Sequence, residues 1–277
     1  MKAYDNSMGS WRYNAHILKL GVTRRMTDQD TEQKRRPPGI YLLPNLLTTG
    51  AMFSGFYAIV AGINEQFVSA VIAVFVAGLF DGLDGRVARM TNTQSEFGVQ
   101  YDSLSDLISF GLAPALIVYM WALADLRAYG NFAGKLGWLI AFLYAACAAL
   151  RLARFNTQAG TGDKRFFTGL ASPAAAGTLM AFVWAMEDFS VFGAGTRWFA
   201  LILTMTLALL MVSRIPYYSF KVWPERVPFF WVLLTILAII PVAAHPPTML
   251  LVIGLVYIAS GPSMWAWRRL RKRGTAA

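Results

Sequence analysis

The sequence predicts an all-α membrane protein, a polytopic bundle of about eight transmembrane helices with both termini in the cytoplasm. Composition is the first observation behind this class. Apolar residues make up 56% of the 277 positions and charged residues 14%, and the mean hydropathy is +0.46. A soluble domain covers its surface with polar groups, so this composition favours a protein whose surface faces lipid.

The second observation is the length of the apolar runs. A helix needs about 20 residues to cross the hydrocarbon core of a bilayer, and most of the runs are close to this length. Each run is predicted to form one transmembrane helix. The runs lie at 41–63, 66–90, 98–124, 136–155, 171–187, 197–214, 228–244 and 247–265.

The third observation is the alternation of charge between the connecting segments. Every second connector carries lysine and arginine: 86–96, 151–165 and 214–226. The intervening connectors carry almost none, apart from two basic residues at 125–135. Because basic connectors remain on the cytoplasmic side, this pattern predicts that both termini are cytoplasmic.

The segments outside the bundle are basic. Residues 1–40 contain eight Lys/Arg and four Asp/Glu, and the chain ends with RRLRKR at 268–273. We therefore predict a cytoplasmic segment at 1–40, a transmembrane domain at 41–265 and a cytoplasmic tail at 266–277. The first segment would be an interfacial helix or a loosely ordered tail. A nucleic-acid-binding protein would carry a basic stripe with interleaved aromatic residues, and this sequence has none. The net charge of +10 is therefore better explained by membrane topology.

Four aspartates stand at the edges of the second and third apolar runs. Asp81 and Asp84 are three residues apart on one helix face, and Asp102 and Asp106 are four apart on another. A hairpin turning through TNTQSE would bring both pairs to one pocket. Each buried carboxylate would cost roughly 2.5 to 3.5 kcal/mol at membrane depth, so compensating positive charge is expected.

Two explanations of the aspartates are open at this point. Oxygen-only carboxylate clusters suit hard divalent ions such as Mg²⁺ or Mn²⁺, and Gly82 and Gly85 would leave room for a diphosphate beside them. Alternatively, Arg86 and Arg89 would form a salt-bridge network with the acids, and the glycines would serve close helix packing. Four acids with two glycines in register favour the metal site.

The same residues resemble the signature of the CDP-alcohol phosphatidyltransferase family. The match covers eight positions at fixed spacing: Asp81-x2-Asp84-Gly85-x2-Ala88-Arg89-x8-Gly98-x3-Asp102-x3-Asp106. Further stretches are similar to the branch of the family whose acceptor alcohol is serine. They are LPNLLTTGAMFSGFYAI at 43, EFGVQYDSLSDLISFGLAPA at 96, LRLARFN at 150 and FTGLASPAAA at 167.

The resemblance implies a reaction in which an alcohol displaces CMP from CDP-diacylglycerol, with Mg²⁺ or Mn²⁺ as cofactor. It implies that Asp106 is the general base for the acceptor hydroxyl. The implied metal ligands are Asp81, Asp84, Asp102 and Asp106. The implied contacts to CDP-diacylglycerol are Pro44, Asn45, Thr48, Asp81, Gly82, Gly85, Arg89 and Gly98.

Serine carries a carboxylate, so its pocket requires a cation. Arg151 and Arg154, three apart on one helix, are the candidates, with Lys164 and Arg165 on the adjoining loop as further candidates. These basic residues would equally serve as topology signals.

Other readings of the function and assembly remain open from the sequence. The acceptor would be serine or, within the same family, glycerol 3-phosphate or an inositol phosphate. A cation-coupled transporter would also place acids in a membrane, but its repeated halves are absent from the sequence. The family resemblance implies a homodimer in the inner membrane with the active site on the cytoplasmic side. Small residues at 172–181 would supply contacts between copies or pack within one chain.

Overall fold

A computed structural model describes residues 42–158, 166–218 and 240–274, and these are almost entirely helical. Two short strands are the exception. In chain order the elements are α1 (Leu42–Ile63), α2 (Phe67–Met90), α3 (Glu96–Tyr129), α4 (Asn131–Gln158), β1 (Phe166–Thr168), α5 (Ser172–Asp188), α6 (Ala194–Val212), β2 (Pro216–Tyr218) and α7 (Pro246–Gly274).

Six of these helices are long and apolar enough to cross a membrane: α1, α2, α3, α4, α6 and α7. The all-helical polytopic class is therefore confirmed. Helix α5 corresponds to the predicted run 171–187 but has only 17 residues. The predicted run 228–244 lies outside the described residues except for 240–244, which are helical. The count of eight and the position of the termini stay predictions.

The predicted terminal segments have different outcomes. Residues 1–40 lie outside the described part of the chain. The backbone of α7 continues to Gly274, so most of the predicted tail at 266–277 extends the last helix. The described residues from Pro44 onward belong to one compact unit.

Helix α5 forms the centre of the described bundle. Its buried residues include Ala175, Ala176 and Leu179, each 0% exposed, and it packs against α2 and α7. Small residues permit close approach between helices. At Gly254 of α7, an added Cβ would lie 2.3 Å from the hydroxyl oxygen of Thr178. Most of the small-residue run 172–181 therefore packs within the chain, and its contact between copies stays a prediction.

Helix α3 changes its hydrogen-bond pattern directly after Asp106. The segment Leu107–Leu112 is a π-helix, and π segments inside α-helices are frequent at functional sites. The buried hydroxyl of Tyr144 on α4 donates to the carbonyl of Phe110 in this segment at 3.4 Å. The neighbouring helix α4 thus contacts the π segment through a hydrogen bond.

The strand pair holds the connection between α4 and α5 against the end of α6. β1 and β2 are antiparallel, with Thr168 opposite Pro216. Gly169 follows β1 with a φ of 85°, a conformation that favours glycine. An added Cβ there would lie 2.4 Å from the carbonyl oxygen of Met211. This turn places the start of α5 beside α4.

Candidate active site

The hairpin between α2 and α3 closes through residues 91–95. Asn92 has a φ of 54°, a left-handed conformation that asparagine tolerates better than most residues. Ser95 caps α3, because its hydroxyl accepts a hydrogen bond from the backbone N–H of Gly98 at 3.0 Å. Glu96 adds a negative charge to the first turn of α3, where it is favourable. The predicted turn is confirmed.

Three carboxylates converge where this hairpin brings α2 and α3 together. Asp81, Asp102 and Asp106 each offer one oxygen, and these three atoms lie within 4.8 Å of one another. All three side chains are partly buried. An all-oxygen donor set of this kind fits a hard divalent cation, which would also offset the repulsion between the acids. The structure thus supports the metal explanation for these three residues.

Asp84 lies apart from this group of three and faces α1. It is 5% exposed, and its Oδ2 accepts a hydrogen bond of 2.6 Å from the hydroxyl of Thr48. The backbone carbonyl of Thr48 in turn accepts from the hydroxyl of Ser105 on α3 at 3.1 Å. Thr48 therefore joins α1, α2 and α3 at the edge of the carboxylate cluster. The sequence indicated Thr48 only as a nucleotide contact and did not reveal this bond.

The two glycines beside the acids face open space. A Cβ added at Gly82 or Gly85 would have no described heavy atom within 4 Å outside its own helix backbone. Close helix packing therefore does not explain them within the described residues. Gly98 is different, because an added Cβ would lie 3.1 Å from the hydroxyl oxygen of Ser95 and 3.7 Å from Oδ1 of Asn45. The tight contact is the one with Ser95, so Gly98 leaves room for the hydroxyl that caps α3.

The alternative of a salt-bridge network is not supported by the described residues. Arg89 is exposed, and its Nε donates to the carbonyl of Gly85 at 2.9 Å. Within the described ranges, one ion pair is found, between Arg197 and Asp125 at 2.7 Å. Asp125 lies near the other end of α3, far from the carboxylate cluster. Within the same ranges, Asp84, Asp102 and Asp106 make no ion pair with an arginine.

The predicted serine-binding arginines lie at the end of α4. Nη1 of Arg151 donates to the hydroxyl of Ser172 at 2.9 Å. Nη1 of Arg154 donates to the carbonyl of Val212 at 3.3 Å. Lys164 and Arg165 lie outside the described residues. Of the two described arginines, Arg151 contacts the start of α5 and Arg154 contacts the end of α6.

Sequence reasoning missed Ser172 as a partner of Arg151. Ser172 is 0% exposed and begins α5 immediately before a proline. The available signal was indirect: a buried arginine needs hydrogen-bond partners, and a hydroxyl at a helix start can provide one. The spacing of 21 residues has no helical period that would have joined Arg151 to this serine.

The fold and this site together define a class, a polytopic helical membrane protein with a carboxylate cluster at the hairpin of two of its helices. Residues 41–212 match the CDP-alcohol phosphatidyltransferase family. Because the match covers more than half of the chain, the chain belongs to this family.

Individual relatives share a reference to serine in their names. A CDP-diacylglycerol–serine O-phosphatidyltransferase of Helicobacter pylori is 36% identical over 226 residues, which cover 82% of this chain and 92% of the relative. A protein of the same name from Mycobacterium leprae is 31% identical over 83% of this chain and 76% of its own length. An archaetidylserine synthase of Methanothermobacter thermautotrophicus is 38% identical over 63% of this chain and 69% of its own length.

Proposed function

We propose that this chain transfers the phosphatidyl group of CDP-diacylglycerol to the hydroxyl of L-serine and releases CMP. The observation that carries the proposal is the convergence of Asp81, Asp102 and Asp106 within 4.8 Å, in the family to which the chain belongs. The acceptor is inferred from the relatives, whose names differ in the lipid but share serine.

The carboxylates would hold Mg²⁺ or Mn²⁺. The proposed ligands are Asp81, Asp84, Asp102 and Asp106. Asp84 is assigned by resemblance, since its described contact is the hydroxyl of Thr48. When bound, a divalent ion would offset the charge of the diphosphate and of the leaving CMP.

The donor would bind along the open side of the hairpin. The space beside Gly82 and Gly85 leaves room for the diphosphate, and the exposed guanidinium of Arg89 is available to contact a phosphate. The proposed contact set is the one that the family signature implies: Pro44, Asn45, Thr48, Asp81, Gly82, Gly85, Arg89 and Gly98.

Asp106 would accept the proton of the serine hydroxyl as its oxygen attacks the β-phosphorus of the donor. General-base catalysis by a positioned carboxylate requires the hydroxyl within hydrogen-bond reach. Arg151 would bind the serine carboxylate through its forked guanidinium. Arg154, Lys164 and Arg165 are further candidates for the serine site.

We also propose a membrane orientation and an oligomeric state for the enzyme. The enzyme would lie in the inner membrane of the cell. Its active site would face the cytoplasm, because the basic connectors lie on the same side of the predicted bundle as the aspartates. A homodimer is proposed by family resemblance alone. A monomeric mass in mild detergent with full activity would contradict the dimer.

An acceptor panel tests the function. Purified protein with CDP-diacylglycerol and Mn²⁺ or Mg²⁺ is expected to release CMP and form phosphatidylserine only when L-serine is present. Faster release with glycerol 3-phosphate or an inositol phosphate would contradict serine as the acceptor while leaving the family reaction intact. Cation-dependent solute uptake by liposomes, without CMP release, would instead favour a transporter.

A further inference from the structure

Arg151 uses one part of its guanidinium within the protein and leaves another part without a partner. Nη1 donates to the hydroxyl of Ser172 at 2.9 Å. Nε is buried and has no hydrogen-bond partner among the described residues. In arginine, Nε and Nη2 point their hydrogens along the same edge, which matches the two oxygens of a carboxylate. A bound carboxylate would therefore satisfy the buried Nε that the protein leaves unpaired.

The hydroxyl of Ser172 is held in place by its backbone. Two residues before it, the N–H of Leu170 donates to the carbonyl of Leu210 at 3.0 Å, and Gly169 donates to Ile215 at 2.9 Å. Ser172 itself is 0% exposed, and Pro173 follows it in the first turn of α5. The start of α5 is thus fastened to the end of α6, and the anchor for Arg151 is rigid.

We infer that Ser172 is a positioning residue that fixes which edge of Arg151 faces the acceptor, and so makes the enzyme select an alcohol that carries a carboxylate. This inference rests on the proposed function. Without the hydroxyl, the long arginine side chain would regain rotamer freedom.

The test compares two acceptors that differ in the carboxylate. Ser172→Ala is assayed for CMP release with L-serine and with L-serinamide, which keeps the hydroxyl and the amine. We expect the KM for L-serine to rise about tenfold, the size of effect for losing one hydrogen bond to a charged group. The rate with L-serinamide and the KM for CDP-diacylglycerol should not change. The ratio of kcat/KM for L-serine to kcat/KM for L-serinamide, which measures the preference for serine, should therefore fall about tenfold.

Two further variants separate positioning from general structure. Ser172→Thr retains the hydroxyl and is expected to keep the serine preference. Ser54→Ala removes another buried serine hydroxyl, one that donates to the carbonyl of Gly50 in its own helix at 2.9 Å, and should leave both acceptors unaffected. An equal loss with serine and serinamide in Ser172→Ala would assign Ser172 a purely structural role and overturn the inference. An unchanged KM for serine would overturn it as well.

The wild-type protein distinguishes this failure from that of the proposed function. If its CMP release does not depend on L-serine, the proposed function is wrong and the role of Ser172 falls with it. If release depends on serine but Ser172→Ala retains the wild-type preference, only the role of Ser172 is wrong. In an Arg151→Lys background, Ser172→Ala should have no further effect on the KM for serine, because the two residues act through one guanidinium.

Discussion

The aspartate hairpin and the Arg151–Ser172 pair differ in how far apart along the chain their residues lie. The hairpin runs from Asp81 to Asp106 through one short turn, so the spacing within each helix and the turn itself bring the acids together. Arg151 and Ser172 belong to α4 and α5, and their contact depends on a strand pair and on the end of α6. A local site is therefore visible in a sequence pattern, whereas a site built from distant helices is not.

The two regions would also bind different substrates. The carboxylates suit a metal and the diphosphate of the donor, while the guanidinium suits the carboxylate of the acceptor. Substitutions in the two regions should consequently change different kinetic constants. The following predictions test that separation, from the largest expected effect to the smallest.

Asp106→Asn should lower kcat on the order of 10²-fold or more, because the amide cannot accept the proton of serine. Binding of CDP-diacylglycerol should remain, as measured by calorimetry, and metal should still bind through the other proposed ligands with a smaller loss of affinity than in Asp81→Asn. Asp81→Asn is the comparison variant and should instead raise the Mn²⁺ or Mg²⁺ concentration required for activity. If Asp106→Asn loses metal affinity as severely as Asp81→Asn and recovers its rate at high metal, Asp106 serves only as a metal ligand and its role as the base is contradicted.

Arg151→Lys should raise the KM for L-serine about tenfold while kcat and the KM for CDP-diacylglycerol stay close to wild type. Lysine keeps the charge but lacks the forked edge that binds both carboxylate oxygens. Steady-state kinetics with each substrate varied in turn provide the measurement. A rise in the KM for CDP-diacylglycerol of the same size would show that the two regions are not separate.

Thr48→Val should raise the metal requirement about threefold to tenfold, since Asp84 would lose its 2.6 Å hydrogen bond with little change in side-chain volume. Activity titrated with Mn²⁺ and calorimetry with Mn²⁺ alone give two independent readings. Thr49→Val is the matched control, because the hydroxyl of Thr49 donates to the carbonyl of Asn45 at 2.7 Å and contacts Tyr101, not Asp84. Equal shifts in both variants would remove Thr48 from the account of the metal site.

Asp125→Asn should have the smallest effect. It removes the ion pair with Arg197, whose side chain is 32% exposed while that of Asp125 is 56% exposed. Exposed pairs of this kind contribute about 0 to 1 kcal/mol to the free energy of unfolding. Neither kcat nor either KM should change, and thermal unfolding in detergent should shift little. A loss of activity would mean that the far end of α3 is coupled to the carboxylates.

The amino-acid sequence by itself determined the membrane class and the meeting of three aspartates. Composition and the length of the apolar runs determine the membrane class, because lipid and water select surfaces of different polarity. Helical spacing determines that the aspartates meet, because Asp102 and Asp106 share a helix face and the turn at 91–95 leads back to Asp81. Both arguments need only residues that are close in the sequence, together with the chemistry of their side chains.

Tertiary structure alone decided which residues support the acids and Arg151. Spacing indicates a helix face but does not identify the helix that packs against it. Asp84 shares a face with Asp81 in the sequence pattern, yet its partner is Thr48 on α1. The small-residue run 172–181 would suit a contact between copies as well as an interior, and packing against α2 and α7 placed most of it inside the chain. The same packing brought Ser172 to Arg151, because contacts between helices depend on the arrangement of the whole bundle.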